Sequence, residues 1–161
     1  MQQNDIAALV DTYGNMILRL AYTYLKNKAD AEDIVQDVFM QVIEKNPVWN
    51  DKAHQKAWLL RTTVNLCKNK LNVFWNRNKC SIDDAAEVGV CDDYHTDTDV
   101  LQAVMKLGRN YRLAVHMYYY EGYSTPEIAK ILDKSEATVR SLLHRARETL
   151  KKELKEAYDF E

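Results

Sequence analysis

Apolar residues along the chain recur at helical spacing. Ile6, Leu9, Val10, Tyr13, Ile17, Leu20, Ala21 and Tyr24 predict an amphipathic first helix. Asn27 to Ala29 break it, and Asp30 is the candidate cap of a second helix, with Asp33 favouring the positive end of its dipole. That helix carries Ile34, Val35, Val38, Phe39, Val42 and Ile43 on one broad face, and Pro47 stops it. A third helix is expected from about Ala53 to Asn72, with Leu59, Thr63, Leu66, Cys67 and Lys70 on one side. From Asn76 to Asp99 the period fails: NRNKCSIDDAAEVGVCDDYHTDTD is polar, first basic and then acidic, and reads as a linker. Helices resume at about Val100 to Lys106, Tyr111 to Tyr120, Ser124 to Leu132 and Glu136 to Glu156. The expected fold is all-α: two small helical domains, 1–75 and 100–156, joined by a flexible acidic linker, 76–99, with a short tail, 157–161.

Composition agrees and narrows the function. Apolar residues make up 47%, enough for packed cores, and only four Gly and two Pro punctuate the chain, which favours long helices over a many-stranded sheet. No apolar run is long enough to span a bilayer, and MQQNDIAALV lacks the basic start of a signal peptide, so a cytoplasmic protein is expected. Cys67, Cys80 and Cys91 are odd in number and widely spaced, and His54, His95, His116 and His144 pair with none of them at ligand spacing. No metal or other cofactor is expected. Glu32 and Asp33, or Asp92 and Asp93, form carboxylate pairs, but none sits with a His or Cys in a catalytic spacing, so no catalytic residue is assigned and an enzyme is not expected.

The net charge of −2 argues against a free-standing DNA binder, yet its distribution is uneven. Residues 51–80 hold seven basic groups and one acidic, residues 81–100 hold seven acidic and no basic, and residues 101–153 hold ten basic and six acidic. Two basic zones flank an acidic strip.

The second zone contains the strongest motif. Ser124 to Leu132 is a short helix opened by a capping box, Ser124 with Glu127. Asp133-Lys134-Ser135 is a turn, and Glu136 starts a longer helix, which together make a helix-turn-helix. On the second helix Val139, Leu142, Leu143, Ala146 and Leu150 share an apolar stripe, while Arg140, Ser141, His144, Arg145 and Arg147 fall outside it. Arg140 and His144 lie in the N-terminal half, where such a helix meets base edges.

At these residues the chain resembles a known family. Leu107-Gly-Arg-Asn-Tyr-Arg-Leu113, Glu121-Gly-Tyr-Ser124, Glu127-Ile-Ala129 and Thr138-Val-Arg-Ser-Leu-Leu-His-Arg-Ala-Arg147 look like region 4 of the bacterial extracytoplasmic-function (ECF) sigma factors. Ala31-Glu-Asp-Ile-Val-Gln-Asp-Val-Phe39 resembles the core-binding helix of region 2, and Ala57-Trp-Leu-Leu-Arg61 with Asn65 resembles the promoter-element helix that follows. The resemblance implies a factor that binds core RNA polymerase, melts the minus-ten promoter element, holds its non-template strand and reads the minus-thirty-five duplex. It also implies an anti-sigma factor as a partner.

Residue by residue, the pattern and the resemblance meet. Glu32, Asp33, Gln36, Asp37, Gln41 and Glu44 form a polar, acidic ridge on the second helix. By pattern alone it is either a solvated face or a partner surface, and the resemblance selects polymerase binding with Asp33, Gln36 and Asp37 at its centre. On the third helix Arg61, Asn65, Lys68 and Asn72 share a face, with Asn69 beside them and Arg77 and Lys79 following. Cations that track phosphate and amides that reach base edges suit a melted strand. Trp75, near the basic end, is a candidate stacking platform for a base, and core packing is expected for Trp58. Two positions depart from the family pattern: Gly108 stands where a proline is usual, which is expected to loosen that helix start, and Leu142 replaces a common basic residue. After Asn69 the usual acidic and paired-arginine pattern is missing. The rival reading is a helix-turn-helix regulator with an N-terminal interaction domain, which leaves the basic third helix and the Asp33 to Asp37 motif unexplained.

Overall fold

A computed structural model describes residues 3–78 and 99–158, arranged in two compact units, Met1–Asp92 and Asp93–Glu161. All the elements among the described residues are helices.

The first unit contains α1 (Gln3–Leu25), α2 (Lys28–Lys45) and α3 (Lys52–Asn78), and each helix packs on the other two. Its core is largely the apolar stripe expected: Ile17, Leu20 and Ala21 of α1, Ile34, Val38 and Val42 of α2, and Leu59 and Cys67 of α3 are buried, and Leu60, outside the expected stripe, is buried with them. Thr63 is fully buried among them because its hydroxyl donates to the Leu59 carbonyl at 2.7 Å, which satisfies the polar atom inside the helix. Val10 and Ile43, expected on the apolar faces, lie at their solvent edges instead.

The caps correct two boundaries. Asn27, not Asp30, caps α2: its backbone is extended (φ −138°, ψ 120°) and its side-chain oxygen accepts from the Asp30 N–H at 2.9 Å. Asp30 instead places a carboxylate in the first turn, near the positive end of the dipole. At the other end Asn46 adopts the left-handed conformation (φ 44°) and returns its N–H to Val42, immediately before Pro47. Asp51 starts α3 by accepting the His54 N–H at 2.7 Å, while His54 Nδ1 accepts from Asn50 at 3.1 Å. Past Asn72 no Gly or Pro intervenes, and α3 continues to Asn78 while Trp75 folds back into the core. Asn76, Arg77 and Asn78 of the expected linker are therefore helical, as is Asp99 at its far end, and 79–98 lie outside the described residues.

The second unit contains α4 (Asp99–Lys106), α5 (Arg109–Val115), α6 (Thr125–Leu132) and α7 (Glu136–Tyr158). Helix α7 packs on the other three, and Val139, Leu143 and Ala146 of α7 are buried, as are Leu113, Met117 and Ile128. The helix expected over Tyr111 to Tyr120 begins earlier, at Arg109, and widens into a π-helical turn over His116–Tyr120. Glu121 donates its N–H to the His116 carbonyl and Tyr123 to that of Met117, each at 3.0 Å. Gly122 ends the turn at φ +76°, a conformation that favours glycine. Gly108 precedes α5 in regular backbone geometry. Its backbone (φ −58°, ψ 154°) is one a proline adopts, and its carbonyl accepts the Arg112 N–H at 2.9 Å. The Arg112 side chain is fully buried and donates to the Leu107 carbonyl at 2.7 Å, so a cation closes the C-terminal end of α4.

Candidate nucleic-acid interface

The helix-turn-helix is built by local hydrogen bonding around α6 and α7. Ser124 caps α6: its hydroxyl donates to Glu127 Oε1 at 2.7 Å, and the Ser124 N–H reaches the same oxygen at 3.2 Å. The Glu127 N–H returns to the Ser124 hydroxyl. These bonds from the Ser124 side chain and then its backbone hold the exposed Glu127 carboxyl below the usual carboxylate range. Asp133 turns the chain in the left-handed conformation (φ 56°), and Lys134 donates to the Ala129 carbonyl at 2.9 Å. Ser135 then caps α7 by accepting the Thr138 N–H at 3.1 Å. Three short-range devices therefore fix the angle at which α7 leaves the turn.

Helix α7 buries Val139, Leu143 and Ala146 and half-buries Leu142 and Leu150, as its stripe requires. Arg140, Ser141, His144, Arg145 and Arg147 are all exposed. Two of the cations are engaged. Arg140 Nη1 donates to Glu136 Oε1 at 3.0 Å, one turn earlier, and Thr125 reaches the same carboxylate at 3.4 Å. Arg147 Nε donates to the Tyr119 hydroxyl at 2.6 Å, and its guanidinium lies over the Tyr118 and Tyr119 rings, 5.4 and 5.6 Å from their centroids. Neither Glu136 nor the tyrosines was singled out in the sequence. Glu136 was legible as an i, i+4 partner of Arg140, whereas Tyr119, 28 residues before Arg147, carried no local signal.

In the first unit α3 exposes Arg61, Asn65, Lys68, Asn69 and Asn72. Their spacing puts them on one strip about 16 Å long, at 1.5 Å per residue. Trp75 does not join it. Its ring is 6% exposed, so both faces are covered, and the exposed aromatic at this end is Phe74 (47%), beside Val73. The Arg77 side chain and Lys79 lie outside the described residues. Trp58 is half-buried and packs edge-on against Trp49 at 5.6 Å.

A second surface of the same unit is the ridge of α2. Glu32, Asp33, Gln36, Asp37 and Glu44 are exposed, while Gln41 is half-buried. Met40 and Ile43, each 51% exposed, continue the ridge with apolar surface that the sequence reading did not assign to it. Lys70, placed by pattern on the buried side of α3, reaches out between two α2 carboxylates, 3.7 Å from Asp30 and 3.5 Å from Asp33. It joins the acidic ridge to the helix that carries the cationic strip.

No cluster of His, Cys, Asp or Glu among the described residues could hold a metal ion, and no helix there is long and apolar enough to cross a membrane.

Comparison with known proteins agrees with this arrangement. Residues 9–73 match the sigma-70 region 2 family, and residues 97–150 match sigma-70, region 4. The ECF RNA polymerase sigma factor SigW of Bacillus subtilis is 26% identical over 170 residues, covering 96% of this chain and 91% of that protein. SigL of Mycobacterium tuberculosis, also an ECF RNA polymerase sigma factor, is 29% identical over 156 residues, covering 92% of this chain and 88% of its own. Among solved structures the fold is shared with the sigma factor RpoE in complex with the anti-sigma factor NepR from Bartonella quintana. The TM-score there is 0.75 at 22% identity, covering 94% of this chain and 97% of that one. CnrH in complex with the cytosolic domain of CnrY gives 0.65 at 23% identity, covering 96% and 90%. With both halves matched in the same order and its helices carrying both the acidic ridge and the two cationic faces, the chain belongs to the ECF group of sigma-70 factors, which bind core RNA polymerase and direct it to promoters.

Proposed function

We propose that this factor divides promoter recognition between its two units by three helix faces. The α2 ridge docks on core polymerase through Asp33, Gln36 and Asp37, with Met40 and Ile43 adding apolar area beside the charges. Acidic groups steer the encounter and fix register, and the exposed apolar side chains supply burial once the surfaces meet. The α3 strip holds the melted minus-ten strand, its Arg61 and Lys68 on phosphates and Asn65, Asn69 and Asn72 on base edges. Helix α7 lies in the major groove of the minus-thirty-five duplex, with Arg140 and His144 nearest the bases and Ser141 and Arg145 beside them.

The observation that carries this reading is the presence in one chain of an exposed Arg–Asn–Lys strip on α3 and a doubly capped helix-turn-helix with an exposed cationic second helix. The chain contributes no catalytic group; the polymerase supplies bond formation, and the complex works in the cytoplasm. RpoE, which shares the fold, is in complex with the anti-sigma factor NepR, and a protein of that kind is the expected inhibitor here. In vitro transcription tests the reading: purified core polymerase with a promoter library should start at a discrete set of sites only when this chain is added. Start sites indifferent to the chain would overturn it.

A further inference from the structure

We propose that Tyr119 and Arg147 together form a preset receptor for one phosphate of the promoter backbone, with Tyr119 both positioning the arginine and offering a second donor. The proposal rests on the reading of α7 as the minus-thirty-five helix. At 100° per residue Arg140, His144, Arg147 and Lys151 fall within about 60° of one another around α7, a single cationic flank. Arg147 is the member of that flank held by another element. Its Nε donates to the Tyr119 hydroxyl at 2.6 Å, and its guanidinium lies within cation–π reach of the Tyr118 and Tyr119 rings, 5.4 and 5.6 Å from their centroids. The rings themselves meet edge to face, 4.9 Å apart. The π-helical turn makes this possible, because a wider turn separates consecutive side chains by a smaller angle and lets both rings reach α7.

Two consequences follow for chemistry. A guanidinium ordered before binding loses less rotamer freedom when a ligand arrives. With Nε committed, its two terminal amino groups are the remaining donors, and they take no acceptor among the described residues. The Tyr119 oxygen accepts from Nε, so its own proton points elsewhere, and the residue is 58% exposed. Arginine N–H groups and a phenolic O–H side by side match a tetrahedral oxyanion. Continuity with the cationic flank makes a DNA phosphate the occupant, because backbone contacts set the register in which neighbouring side chains reach bases.

The test uses holoenzyme reconstituted from core polymerase and the full chain, with promoter duplexes in which single minus-thirty-five phosphates are replaced by neutral methylphosphonates. Arg147→Ala should weaken binding and lower the slope of log affinity against log salt by about 0.9, the release of one phosphate's counterion. Tyr119→Phe keeps the ring and should weaken binding roughly three- to tenfold, the range of one net hydrogen bond, without changing selected base preference. One methylphosphonate position should harm the wild type most, harm Tyr119→Phe less and cease to harm Arg147→Ala, and the double variant should lose less than the product of the two single losses. An unchanged affinity and salt slope for Arg147→Ala would remove Arg147 from the duplex and overturn that part of the promoter reading along with the receptor. A weakened Arg147→Ala beside a wild-type Tyr119→Phe, or effects that multiply independently, would overturn the receptor alone. Loss of core-polymerase binding by Arg147→Ala without DNA would assign the site to a protein carboxylate and overturn it too.

Discussion

The capping box of α6 sets a quantitative expectation. Ser124→Ala removes the 2.7 Å bond to Glu127 Oε1 and the acceptor for the Glu127 N–H, leaving only the backbone N–H at 3.2 Å on that carboxylate. Loss of a serine cap costs about 1 kcal/mol, within a range of roughly 0.5–2. For a domain of this size that lowers the melting temperature by about 4–8 °C. The cost should depend on pH with a definite sign. Because the folded state holds the Glu127 carboxyl below its ordinary range, its contribution is present above the unfolded glutamate value and disappears as pH falls through the lower folded one. The variant should therefore lose more stability near neutral pH than in strong acid, where only the missing acceptor for the Glu127 N–H still counts. The two units can be followed separately, since Trp49, Trp58 and Trp75 all lie in the first. Amide signals of α6 and α7 report the second unit, and tryptophan fluorescence serves as the control that should not move. An equal loss at neutral and acid pH would refute the assignment of the stabilisation to the charged Glu127–Ser124 bonds.

Replacing Arg140 by Ala should cost about 1–3 kcal/mol of minus-thirty-five affinity at one base position and relax preference there. Its exposed pair with Glu136 is worth only about 0.3–0.5 kcal/mol to the fold, so circular dichroism melts should scarcely change. Selected promoter motifs identical to wild type would remove Arg140 from base reading. Charge reversal by Asp37→Lys should weaken capture of core polymerase without changing the melt; Asp33→Lys should do the same and also repel Lys70, giving a slightly less stable first unit. Trp75→Ala should destabilise the first unit by about 3–5 kcal/mol, the usual cost of truncating a buried large aromatic, while Phe74→Ala leaves its stability nearly unchanged. The opposite ranking in chemical denaturation would return Trp75 to the surface.

Periodicity located the helices because each unit has one core, and a helix in such a unit must turn an apolar stripe toward it. The helix-turn-helix was legible in its turn and its capping box, since Ser124 and Glu127 act within four residues of each other, whereas Ser135 was read as turn and caps α7. What escaped was either a competition or a long-range contact. Asn27 and Asp30 are equally good caps on paper, and only the extended backbone at Asn27 decides between them. Trp75 lies near the basic end of the third helix and so was a candidate for base stacking, yet α3 persists past Asn72 and its ring returns to the core. Lys70 sits at an apolar register position, but its long stem lets the ammonium reach Asp30 and Asp33. The π-helical turn left no pattern at all in the sequence, and with it went the packing of Arg147 on Tyr118 and Tyr119.

On this reading promoter recognition belongs to the complex and not to the free chain. A protein of net charge −2 with small separate cationic faces releases few counterions on its own. The direct measurement compares the chain alone, core polymerase alone and the two together on one labelled promoter fragment at physiological salt, scored by protection of the minus-thirty-five and minus-ten elements. Weak, sequence-indifferent binding by the chain alone and protection of both elements only in the mixture are expected. Tight protection of a specific site by the chain alone, unchanged when core polymerase is added, would contradict this reading.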